Sequence, residues 1–455
     1  MKPGKSINML NGPILPSVIR YTLPIMATGL LQLLFNTADL IVVGQFCGSN
    51  SIAAVGATSS LIQLMVNLFL GLSVGAGVCV AQGLGAKRER EVQCAVHTAI
   101  LLALVSGVVL TVIGFFFLKE CLVLMGTPAS VLPLSTVYIK YYFLGVTGSL
   151  VYNFGAAVMR AAGDTKTPLY YLIVAGVINV VLNVFFVAVL GMNVEGVAIA
   201  TAISQTVSAA LILYSLARRT DACRLQLKHL RFHKAQLLKT LQIGVPAGLQ
   251  SAMFSISNVL IQSSINSFGE TVVAGNSAAM SLEGFVYVCI NAFSQTSLNF
   301  IGQNLGAGKF ERIKKIYRTC MACVTVVGVV LGALFYFCGN ALLRIYITDS
   351  EQAVRFGLDR MLFICLPYFL CGIMDTTTGA IRGMGCSLAP MIITVLGVCV
   401  LRVVLIFAVF TLPAYHTTQT VYASYPISWA VTFLALFVLY LWVQRRVQQR
   451  QLKIA

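Results

Sequence analysis

Gln32, Asn36 and Asp39 are spaced by four and three residues, so on a helix they share one face. Asn179 and Asn183 stand four apart in another apolar stretch, and Thr201 lies in the stretch after it. Hard cations take oxygen ligands. One carboxylate, two amide oxygens and a hydroxyl form such a set, so sodium held by Asp39, Asn179, Asn183 and Thr201 is one reading. The other puts a proton on Asp39, with the amides hydrogen-bonded to the neutral acid. Asn36 belongs to both readings as a helical neighbour of Asp39.

A second polar series comes later. Asn276, Glu283, Tyr287, Asn291 and Gln295 follow helical spacing, and Gln250, Asn258 and Gln262 precede them. A stripe this polar is costly against lipid, so it should face the interior or a wet cavity. Carboxylates there could neutralise a cationic ligand, and an aromatic such as Tyr287 could hold its body. Of 14 acidic residues only Asp39, Glu283 and Asp375 lie well inside apolar stretches. An ionisable group at bilayer depth costs roughly 2.5–3.5 kcal/mol on insertion scales and is kept mainly for ion, proton or substrate handling. The plain alternative is a hydrogen-bonded carboxylate that pins helix packing.

Catalytic signals are absent. The chain has no Gly-x-x-x-x-Gly-Lys-Ser/Thr loop and no His-Glu-x-x-His pair, and its four histidines form no evident cluster. Neither an enzyme nor a cofactor is expected. Cys320-x-x-Cys323 lacks a second pair and reads as helix packing.

The elements that must carry these residues are membrane helices. Hydrophobic residues make up 58% of the chain and charged residues 10%, against about 25% charged in a soluble domain. Twelve spans are predicted, near 18–45, 52–81, 93–117, 135–158, 169–190, 196–217, 243–267, 272–301, 316–340, 359–380, 391–411 and 421–443. With the N-terminus inside, 25 of the 31 Lys and Arg fall in inner segments, from Lys2 and Lys5 to Lys453. This is the positive-inside asymmetry. It accounts for the net charge of +17 and argues against nucleic-acid binding. The expected location is the inner (plasma) membrane, multi-pass, with both termini cytoplasmic.

The chain also repeats itself. Gln82-Gly83-Leu84-Gly85-Ala86 is answered 221 positions later by Gln303-Asn304-Leu305-Gly306-Ala307. Arg160-x-x-Gly163-x-x-x-x-Pro168 recurs 222 positions later as Arg382-x-x-Gly385-x-x-x-x-Pro390, and Pro24 pairs with Pro246. Six helices per copy is an even number, so the copies are parallel repeats. They divide the chain into an N-terminal lobe, 1–217, a linker, 218–240, and a C-terminal lobe, 241–455. The linker reads as a plain connector or as an amphipathic helix on the inner surface. Gly71, Gly75 and Gly77 mark a small-residue face for close helix packing.

Twelve spans in two halves, Asn36-x-x-Asp39, and the paired Arg160…Pro168/Arg382…Pro390 and Gln82/Gln303 segments resemble the multidrug and toxic compound extrusion (MATE) transporters, bacterial type. The resemblance runs from about Pro16 to Arg446. It implies an all-α protein with two six-helix lobes in a V, opening alternately to each side. It also implies export of amphipathic, mostly cationic compounds in exchange for inward protons or sodium. The family's first-lobe cation site maps onto Asp39, Asn179, Asn183 and Thr201, with Asn183 standing where other members carry Asp. Glu283 and Asp375 are carried over as cavity or second-lobe coupling residues, with Tyr287, Asn258, Gln262 and Asn291 around them. Small-molecule substrates and the lipid bilayer are the expected partners, and a monomer the expected state. The alternative is a flippase of lipid-linked precursors with a related two-bundle fold. It would call for more cations in the cavity, whereas Arg402 is the one Lys or Arg read as lying well inside a span.

Overall fold

The computed structural model describes residues 6–348, 350–409, 412 and 415–452. Lys2, Lys5, Lys453 and positions 410 and 411 of the eleventh expected span lie outside the described residues. Within them no strand occurs. The first half consists of α1 Ile14–Phe46, α2 Ser49–Gly85, α3 Glu89–Phe116, α4 Leu118–Leu124, α5 Leu132–Ala161, α6 Lys166–Val184 and α7 Val194–Ala217. The second consists of α8 Lys234–Asn266, α9 Glu270–Gly306, α10 Phe310–Phe337, α11 Gly339–Tyr346, α12 Glu351–Ile364, α13 Tyr368–Gly383, α14 Leu388–Thr394, α15 Leu401–Val409 and α16 Thr418–Leu452.

The duplication is visible in these lengths. α1 and α8 both have 33 residues, α2 and α9 have 37, and α3 and α10 have 28. The repeated motifs are helix ends. Gln82 and Gln303 lie in the last turns of α2 and α9, and each helix closes on an alanine whose N–H returns to that glutamine's carbonyl. Gly163 and Gly385 end α5 and the α13 segment at φ 88° and 87°, a conformation glycine adopts without a Cβ clash.

Among the described residues, ten helices are long and apolar enough to span a membrane, with α14 and α15 counted as one continuous helix, Leu388–Val409, joined by a π segment at Val395–Val400. The joined pair α12 and α13 makes an eleventh, bent by 46°. The expected span at 359–380 is therefore a broken one. It starts at Glu351, and the break falls at Pro367, which has no N–H to donate. α8 occupies the seventh position as a full-length helix, but its glutamines, serines and asparagines keep it below that apolarity.

The chain forms two compact units. The first comprises residues up to Asn8 and Ala27–Gly248; the second comprises Met9–Met26 and Leu249 onwards. Pro24 and Pro246, at matched repeat positions, each lie just before the point where a helix passes from one unit to the other. In the first unit the opening turns of α8 pack on α2. A Cβ at Gly71 would lie 2.1 Å from the Gly248 nitrogen, and one at Gly75 2.2 Å from the Thr240 carbonyl oxygen. Only backbone can approach backbone this closely, which is the use of small residues between membrane helices. Gly75→Ala should destabilise the protein by about 1–3 kcal/mol, the usual cost of overpacking. Gly56→Ala, where a Cβ meets nothing within 4 Å, serves as control in detergent unfolding. Equal melting of the two variants would refute the close-packing account. In the second unit the opening turns of α1 pack on α9. Tyr21 meets Phe300 edge-on at 5.2 Å, and Asn304 donates to the Met9 carbonyl at 3.0 Å.

The linker is shorter than 218–240, because α8 already begins at Lys234. Before that point it forms no helix beyond a 3-10 turn at Leu227–His229. Cys223 and Leu225 are buried in the first unit's core, and the Gln226 N–H donates to His97 Nε2 at 3.0 Å. Leu227 and Phe232 stay exposed, so the segment before α8 is a connector pinned at Cys223 and Leu225.

Candidate functional site

A cavity of about 330 Å³ opens inside the first unit. The second half of α1 lines it with Gln32, Phe35, Asn36 and Asp39. α1 can come close because α6 has glycine at 176: a Cβ there would lie 1.9 Å from the Phe35 ring. On the same face of α6, three and seven residues on, stand Asn179 and Asn183. A π turn, Phe185–Val189, begins two residues beyond Asn183. Such turns occur often at functional positions.

The carboxylate is held from one side. Asn183 Nδ2 donates to Asp39 Oδ1 and, at 3.3 Å, to Asn179 Oδ1. Asn179 Nδ2 donates to Thr201 Oγ1 at 3.3 Å, and Thr201 is a second side-chain neighbour of Asp39. Asn183 is fully buried behind the wall, and its Oδ1 is left without a partner. Asp39, Asn179, Asn183 and Thr201 thus form one connected group, with Asn36 and Gln32 on the cavity wall beside it. A second aspartate at 183 could make the same bond to Asp39 only when protonated; asparagine makes it always. The group therefore carries one ionisable side chain. Its oxygens suit a hard cation, and its carboxylate suits a proton.

Further polar residues of the cavity were not singled out in the sequence. Thr201, Ser204, Gln205 and Ser208 are spaced by three, one and three, a helical stripe on α7 that all faces the cavity. The stripe is legible in the spacing, and of its four residues Thr201 alone belongs to the set expected from the sequence. Tyr142 of α5 completes this side, and the buried Oε1 of Gln205 beside it has no hydrogen-bond partner.

The second unit holds two separate polar clusters. Glu283 is not open to a ligand: both its oxygens accept from Arg360, at 2.8 and 2.7 Å, with both side chains buried. Arg360 also donates to Asn276 Oδ1 at 2.8 Å and lies 5.6 and 5.5 Å from the Tyr422 and Tyr425 rings. Asn276 donates in turn to Gln262 at 3.1 Å. Sequence reading placed Arg360 at the very start of the 359–380 span and Arg402 as the one basic residue well inside a span. The early start of the broken span puts Arg360 inside as well, only 3% exposed. Arg402 is equally buried, 3.9 Å from the Tyr425 ring and bonded to Ser428. In the other cluster, buried Asp375 lies with Asn291, Tyr287 and Arg382, and Arg382 donates to Gln250 at 2.7 Å. Asn258 is exposed and joins neither cluster. Among the described residues no three or more His, Cys, Asp or Glu come together as a metal site.

Comparison with known proteins adds a family. The sequence model of the MatE family matches residues 24–185 and again 246–408. The chain is 28% identical over 451 residues to "Probable multidrug resistance protein YoeA" of Bacillus subtilis, covering 95% of this chain and 96% of that one. It is 25% identical over 350 residues to a protein of Shewanella oneidensis named "FAD transporter", covering 75% and 76%. A crystal structure described as MATE in the bent conformation superposes with a TM-score of 0.90 at 21% identity, covering 99% of each chain.

Proposed function

Since the chain belongs to the MatE family and so is a membrane transporter and not an enzyme, we propose that it is a secondary multidrug antiporter. It exports amphipathic, mostly cationic compounds in exchange for inward protons or sodium, with 1–217 and 241–455 as its working lobes. The observation that carries this reading is the Asp39 group: a lone carboxylate on a cavity wall, bonded to Asn183 and backed by Asn179 and Thr201. The resistance-protein names of relatives such as the Bacillus subtilis protein support the substrate class.

In this mechanism Asp39 takes up the coupling ion from outside. A proton would sit on its carboxyl group. Sodium would take oxygens from Asp39, Thr201 and the unpartnered Oδ1 of Asn183. Either ligand removes a net negative charge from the cavity and weakens its hold on a cationic compound. Release of the ion inside restores that charge. Coupling then follows because ion and compound favour different states of the same group. Glu283 enters as a partner of Arg360 rather than as a cation receptor, while Asp375 remains the second unit's candidate for contact with substrate or ion.

Proteoliposomes loaded with a fluorescent cationic dye test the proposal. An imposed proton or sodium gradient should drive dye across the membrane, and the gradient that does so names the coupling ion. Failure of both gradients with several dyes would sink the antiport reading.

A further inference from the structure

We propose that the groove between α10 and α16 in the second unit binds the headgroup of an anionic phospholipid. The groove holds a cavity of about 580 Å³. Lys314 and Arg318 line it from one face of α10, and Arg445 lines it from α16. Lys314 shares Glu311 at 2.7 Å, whereas Arg318 and Arg445 have no hydrogen-bond or ion-pair partner among the described residues. Three cations thus face one carboxylate.

Two buried polar groups border the same cavity and are unmatched. Tyr440 is 3% exposed and Gln444 7%, yet Tyr440 Oη and Gln444 Nε2 have no hydrogen-bond partner. Unpaired buried polar atoms are uncommon and each calls for a reason. Both can donate, so an acceptor is what they lack, and phosphate or ester oxygens are acceptors. Tyr440 is held in place by a stack on Tyr317 at 4.0 Å, and Tyr317 Oη bonds Thr377 at 3.0 Å. The donors are therefore fixed before any ligand arrives.

The order of residues along α16 distinguishes a lipid from a soluble anion. In chain order the α16 lining is Phe437, then Tyr440, Leu441 and Gln444, then Arg445, so it runs from an apolar residue through a turn that carries the two donors to a cation. Val438 and Leu434 beside it are 66% and 62% exposed, a surface for acyl chains. Apolar, then hydrogen-bonding, then cationic is the order of a phospholipid read from chain to headgroup. Basic residues at such a surface attract anionic lipid, roughly fivefold in affinity for each Lys or Arg. The inference needs only that the chain is embedded in a membrane, and is independent of the antiport reading.

The test uses the full purified chain, delipidated in detergent and offered equal amounts of dioleoyl phosphatidylglycerol and dioleoyl phosphatidylcholine. Retained lipid is counted by native mass spectrometry. Wild type should retain phosphatidylglycerol at least roughly fivefold over phosphatidylcholine. Arg318→Gln with Arg445→Gln should remove the preference; both side chains are exposed, so folding should survive. Tyr440→Phe, which keeps the stack and all the charges, should lower retention severalfold. Lys87→Gln with Arg88→Gln, at the matching end of the first repeat, should leave it unchanged. Equal retention of the two lipids overturns the proposal, as does a preference that survives the double Arg variant. So does an equal loss in the Lys87/Arg88 control, or displacement of the lipid by inorganic phosphate alone, which would mark a soluble-anion site.

Discussion

Gradient-driven efflux should fall to background in Asp39→Asn, while the protein still folds and inserts. The reasoning is chemical. The amide has the shape of the acid, and its oxygen can still accept from Asn183 Nδ2. What it cannot do is bind a proton or neutralise sodium. One ion moving down a tenfold gradient supplies about 1.4 kcal/mol, which sustains about a tenfold dye gradient if one ion exchanges for one dye. Wild-type liposomes should reach a gradient of that order; those carrying the variant should settle at equal dye concentrations. Because Asn183 is already an amide, the group offers no second carboxylate as a substitute. A variant that builds the wild-type gradient would remove Asp39 from the mechanism.

The second large effect is on stability. Arg360→Met should cost about 3–5 kcal/mol, because it leaves the Glu283 carboxylate buried without its partner. Glu283→Gln should cost less, since Tyr422 and Tyr425 still lie near the guanidinium and the amide can accept one of its bonds. Replacing both, as Glu283→Met with Arg360→Met, should recover most of the loss, because it removes two desolvated charges together. Unfolding of these variants and of Glu283→Met alone in detergent closes the cycle. Additive losses in the double variant would show that the two side chains are not coupled. Transport by the double variant then separates roles: a stable, active protein makes the pair a structural pin, and a stable, inactive one makes it part of the transport cycle.

These two sites differ in how far they could be read in advance. Gln32, Asn36 and Asp39 sit on one helix, and so do Asn179 and Asn183, so helical spacing alone places each set on a face. The tie between Asn183 and Asp39 spans 144 positions, which no local pattern reports. Ser204 and Gln205 carried a readable stripe. Arg360 did not, because its depth depends on where the helix breaks. Pro367 hints at a break, but the span's start at Glu351 depends on what packs around it.

Composition and period, by themselves, determined that the chain is a duplicated helical membrane protein with few acids at depth. Lipid imposes that result, since it tolerates only helices and closed barrels, the long apolar runs fit only helices, and every buried charge is costly there. Tertiary structure decided which of those charges are free. Asp39 ends on a cavity wall with amide and hydroxyl neighbours, whereas Glu283 ends locked to Arg360. A carboxylate's chemistry is set by the few ångströms around it, and those neighbours come from helices distant in sequence.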